Sequence, residues 1–207
     1  MSSRVLEPLE SAVARPLRDD LFVRAVSVQG GESEMAGEKT AFARITMSGV
    51  GFASSATNTP APRRQETAVL RLEEAEDLAA QLGELLSFMS RSTPTPEAPA
   101  MGLWAWRAEP PLDDDLLVAD SSAGAVAIQV GGRVTPTIRV EFTGIAVQEL
   151  ASTVPSVHVQ RAVFSGPRQV QTLISSLKKV VRSALEQRRT DVYVAADRPM
   201  PVLYLVS

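Results

Sequence analysis

Apolar and polar positions alternate through Ile45-Thr46-Met47-Ser48-Gly49-Val50, and the alternation returns in Val140-Glu141-Phe142-Thr143-Gly144-Ile145. A period of two predicts strands with one buried face. Downstream of the first segment the period lengthens. In EEAEDLAAQLGELLSFM (73–89) apolar residues fall at 75, 78, 79, 82, 85 and 86, which predicts an amphipathic helix. A second helical stripe follows SGPRQVQTLISSL at 170, 173, 174, 177, 180, 181 and 185. Ser165 is placed to cap that helix, and Pro167 suits its first turn.

The two halves of this pattern are related. Shifted by 95 positions without a gap, residues 44–86 lie over 139–181. Arg44 falls on Arg139, Met47 on Phe142, Gly49 on Gly144, Val69 on Phe164, Leu78 on Leu173 and Leu82 on Leu177. Upstream, AVSVQGG (25–31) matches VAIQVGG (126–132) at a shift of 101. That match assigns six extra residues to the first loop and places Gly30-Gly31 and Gly131-Gly132 in hairpin turns.

The expected fold is α+β, a tandem duplication of a ββ(β)α unit. Antiparallel sheets, each with one amphipathic helix, would pack as a pseudo-two-fold intramolecular dimer, since neither half buries enough surface alone. The first repeat spans 1–89 with an N-terminal extension. A Pro-rich linker with a Trp pair spans 90–112. The second repeat spans 113–207 and ends in an apolar run, VLYLVS, that reads as a strand.

Composition narrows the function. The 207 residues carry a net charge of −3, which offers no global attraction to nucleic acid or anionic membrane. With no cysteine, disulfides, thiolate metal sites and Cys nucleophiles are excluded. The N-terminus has no apolar leader segment, and no apolar run approaches the ~20 residues of a spanning helix. The expectation is a cytoplasmic protein with no membrane partner.

Catalytic chemistry finds little purchase. His158, the sole histidine, lies in a strand context with no nucleophile-elbow serine. Asp113-Asp114-Asp115 cannot converge on one cation from an extended chain and reads as a strand-entry charge cluster. Gly49 and Gly51 belong to no phosphate-loop motif and read as a strand bulge. Arg63-Arg64 reads as a loop pair. No enzyme activity, catalytic residue, metal or cofactor is expected.

The helices differ in charge. Residues 73–89 hold five acids and no base, whereas 167–189 hold six bases against Glu186. Helix dipoles account well for Glu73, Glu74 and Arg188 and less well for Lys178 and Lys179 in mid-helix. Solvated charge with dipole matching is the simpler reading of these faces, and a basic face toward an acidic partner is the functional one. The residues expected to contact a partner or phosphate are Arg139, Lys178, Lys179 and Arg182, with Trp104 and Trp106 as a seam plug or stacking pair. The expected function is a non-catalytic interaction or assembly protein that self-associates or docks on a protein. Single-stranded nucleic-acid binding through the basic second helix and a sheet face is the alternative.

In element order, two strand-rich units each closed by one helix, the chain resembles the PUR-repeat and Whirly group of single-stranded nucleic-acid binders. Those proteins work through basic, aromatic-studded sheets. This chain is acidic and only 5% aromatic, so the resemblance implies no binding residues here.

Overall fold

β2 (Asp20–Met35) and β3 (Glu38–Gly51) form a long antiparallel hairpin, and β4 (Arg63–Arg71) pairs antiparallel with the other edge of β3. Helix α1 (Leu72–Arg91) follows directly. The order then repeats: β5 (Leu116–Val130), β6 (Arg133–Ala146), a short 3₁₀ turn (Val147–Glu149), β7 (His158–Phe164) and α2 (Pro167–Ala196). A two-residue strand, β1 (Val13–Ala14), lies parallel to β5 at Ala127–Ile128. The computed structural model describes residues 13–14, 20–35, 38–51, 63–91, 114–130 and 133–196.

The described residues are α+β, with one mixed sheet and two α-helices. This corrects the expectation of separate antiparallel sheets. β4 runs parallel to β5 at Ala68–Val69, and β7 runs parallel to β2 at Asp20–Phe22. Because β5 also pairs with β6, the six long strands close into a ring. Closure has a physical reason: each three-strand meander would otherwise leave two edges of unpaired N–H and C=O groups.

Element bounds recur at a shift of 95. β3 and β6 match at both ends, and α1 and α2 start 95 residues apart. The register of the first hairpin shifts between Val23 and Ala25, and that of the second between Val118 and Asp120. Opposite each bulge stands a glycine. A Cβ at Gly49 would lie 2.0 Å from the Phe22 carbonyl oxygen, and one at Gly144 would lie 2.0 Å from that of Leu117. The bulge expected at Gly49 is therefore present, and one recurs at Gly144, but in both the extra residue sits on the facing strand.

The shift of 101 is overturned. Gly30 and Gly31 lie inside β2, opposite Ala43 and Phe42, and the chain reverses between Met35 and Glu38. Both glycines serve close approach. A Cβ at Gly30 would come 3.1 Å from Val180 of α2, and one at Gly31 would run into the Phe42 ring at 2.5 Å. Gly131-Gly132 lies outside the described residues. The pairing of Val69 with Phe164 is also corrected: Leu70 faces Ala43 and Phe164 faces Ile138, so the equivalence there is one residue shorter. The difference is absorbed by Ser165 and Gly166 before α2, where the first half has no such spacer.

Each helix lies mainly on the other half's first strand, α1 along β5 and α2 along β2, and the two helices pack on each other. Leu78 and Leu82 of α1 meet Leu173 and Leu177 of α2 in a single core with Ile45, Met47, Leu70, Ile138, Phe142 and Phe164. Full burial of such side chains stabilises by roughly 1.5–3 kcal/mol each. At the third position of α1, Glu74 folds back so that its Oε2 accepts the Arg71 N–H at 3.1 Å. Gln169, its counterpart on α2, reaches across instead and donates Nε2–H to the carbonyls of Val23 and Arg24, pinning α2 to the β2 bulge.

α1 extends to Arg91, two residues into the expected linker. The rest of that linker, Trp104, Trp106, Asp113 and VLYLVS lie outside the described residues.

Candidate functional site

The amphipathic stripes of α1 and α2 point into the core, which leaves their opposite faces outward. Between those faces runs a groove of ≈ 470 Å³, lined by Glu76, Ala80, Lys178, Val181, Arg182, Leu185 and Glu186. Its floor is apolar, and Leu185 is 49% exposed although it continues the apolar stripe of its helix. Its rim carries both signs: Glu76 from α1, and Lys178, Arg182 and Glu186 from α2. Among the described residues Glu76, Lys178 and Arg182 hold no ion pair with one another. An apolar centre within a polar rim is the anatomy of a protein-binding patch.

The remaining predicted contacts fall apart in space and role. Lys179 is exposed on α2 but does not line the groove. Arg139 points into a seam between the halves, where its Nη2 donates to Asp20 Oδ2 at 2.8 Å. Asp20 is fully buried and the Arg139 side chain is 19% exposed, so this guanidinium is engaged internally. Arg161 is the register neighbour of Asp20 and donates Nε–H to Glu141 Oε2 at 2.7 Å. The opposite seam carries Arg44 with Asp115 at 2.7 Å, a more open pair.

Arg63 and Arg64 are on β4, not in a loop, because the strand starts at Arg63. Arg64 bridges to Glu66 at 2.9 Å with both side chains largely buried. Gln160 occupies the matching place on β7, opposite Phe142 as Glu66 is opposite Met47. It is 5% exposed, and among the described residues neither its Oε1 nor its Nε2 has a hydrogen-bond partner. Four arginines, Arg24, Arg44, Arg63 and Arg71, are exposed on β2, β3 and β4. Arg71 is engaged by Glu74, donating Nε–H and Nη2–H to its Oε1.

His158 opens β7 and places Nε2 3.1 Å from Glu149 Oε1. The other oxygen of Glu149 accepts the Ser156 N–H at 2.8 Å. That backbone hydrogen bond first, and the His158 contact second, hold the Glu149 carboxyl below the usual glutamate range. Asp114 accepts the Gln148 N–H at 2.7 Å, fixing the start of the same loop. These contacts close the loop before β7, and the Ser156 side chain lies against the same Glu149 carboxylate. Sequence reasoning missed Glu149 and the groove, because each depends on which loop and helix come together.

Among the described residues no cluster of three or more His, Cys, Asp or Glu could hold a metal ion, and no helix is long and apolar enough to cross a membrane. Neither a protein-family model nor a curated protein sequence matches this chain.

Proposed function

We propose that this is a non-catalytic, cytoplasmic binding and assembly protein built from a tandem duplication, with its halves joined about a pseudo-two-fold axis and its docking surface on the paired helices. The duplication is supported by element bounds, bulges and bulge-facing glycines that recur 95 residues apart. Reciprocity supports the axis: Arg44 of the first half meets Asp115 of the second, and Arg139 of the second meets Asp20 of the first.

One observation carries the binding role. Leu185 stands half-exposed on an apolar floor rimmed by Glu76, Lys178 and Arg182, which among the described residues hold no ion pair with one another. A photo-crosslinking residue at position 185, with Ser122 on the sheet as the control position, tests it. Discrete protein adducts from 185 alone are expected. Equal, diffuse labelling from both positions would remove the role.

A second reading, single-stranded nucleic-acid binding, draws on the exposed arginines of β2–β4. Salt-dependent oligonucleotide binding that survives charge reversal of Lys178 and Lys179, and is lost on removing Arg24 and Arg63, would favour it.

A further inference from the structure

The exposed charges described on α1 and α2 are opposite in sign, apart from Glu186 on α2. Five acids and Arg91 give α1 a net −4, and six bases against Glu186 and Asp191 give α2 a net +4. On α1, Glu73, Glu76, Asp77 and Glu84 are exposed. On α2, Arg168, Lys178, Lys179 and Arg182 are exposed. The groove lining sets the N-terminal half of α1 beside the middle of α2, so Glu76 on one side and Lys178 and Arg182 on the other flank one apolar floor of Ala80, Val181 and Leu185.

A surface with an acidic strip beside a basic strip is complementary to itself. A two-fold rotation about an axis through the groove lays α1 of one copy on α2 of the other, twice. Glu76 and Asp77 then meet Lys178 and Arg182 of the second copy, and the two Leu185 side chains are covered. The area is sufficient. α1 is about 30 Å long at 1.5 Å per residue, and two helices side by side present roughly 600 Å², near the ~800 Å² per partner of a standard interface. A purely acidic or purely basic partner would leave one strip facing like charge.

We infer that the helix face binds a second copy of this chain, pairing α1 of each protomer with α2 of its partner. This rests on the proposed docking role and names its occupant.

The test is sedimentation equilibrium of three proteins: the native chain, Glu76→Lys/Asp77→Lys, and Lys178→Glu/Arg182→Glu. The native protein is expected to dimerise, with dissociation strengthened roughly tenfold or more between about 0.05 M and about 1 M salt. Each variant alone sets like charge against like at both contacts and stays monomeric. Their equimolar mixture restores opposite charge at both contacts and forms a heterodimer. That rescue also shows both variants to be folded. A monomeric native protein at low salt, or an α2-reversal variant that still dimerises, overturns the inference. If the native protein is monomeric while position 185 still crosslinks to a different protein, the docking role stands and only the second copy is excluded.

Discussion

Arg139 reaches back 119 positions to Asp20, and its guanidinium donates to a carboxylate with no solvent exposure. Its counterpart Arg44 meets Asp115 across the other seam, but there the side chains are 45% and 29% exposed. One chemical pair thus serves two environments in one molecule. Replacing Arg139 with Met leaves a buried carboxylate without its guanidinium and is expected to cost about 2–4 kcal/mol. Arg44→Met should cost less than about 1 kcal/mol. Urea unfolding of both variants measures the difference, and equal costs would refute the assignment of burial.

The glycines predict opposite signs. Gly49→Ala and Gly144→Ala drive a methyl group to 2.0 Å from a backbone carbonyl and should each destabilise by about 3 kcal/mol or more. Gly83 lies within α1 with nothing within 4 Å of its Cβ position, so Gly83→Ala should stabilise by about 0.5–1 kcal/mol. Thermal melts of the three variants decide it.

Much of this arrangement is legible in sequence. The period-two runs mark β3 and β6, the helical stripes mark both helices, and the 95-residue shift aligns them. The ring closure is not legible, because β4–β5 and β2–β7 join through only two or three residue pairs each, with no local signature. The Gly-Gly repeat misled for a physical reason. Glycine serves tight turns and close approach equally, and Gly31 yields to the Phe42 ring across a strand pair. The docking groove is half legible: the charges of Lys178 and Arg182 are visible in the chain, but their shared groove with Glu76 depends on how the helices pack.

Gln160 is buried with both amide atoms unbonded among the described residues. Gln160→Met keeps the volume and removes the uncompensated polar group, so stability should rise by about 1–2 kcal/mol. Chemical denaturation checks it. A loss would show that the amide is doing something for the fold that its packing does not display.

Glu149 supplies the pH dependence. Its folded-state pKa is depressed, so its contribution to stability is present above the unfolded glutamate value and lost as pH falls through the lower folded value. The Ser156 amide resonance should follow that same titration, with a midpoint below the ordinary glutamate range. Glu149→Gln should abolish the step. A Ser156 shift that titrates unchanged in the variant would contradict the assignment.

The most direct test of the helix face as the docking surface is hydroxyl-radical footprinting of the native protein across a concentration series at low salt. Leu185 and Phe88, both exposed on the helices, should gain protection as concentration rises, while Val154 and Val157 in the loop before β7 stay equally reactive. Protection of the loop valines with Leu185 unchanged would place the interface elsewhere and contradict the account.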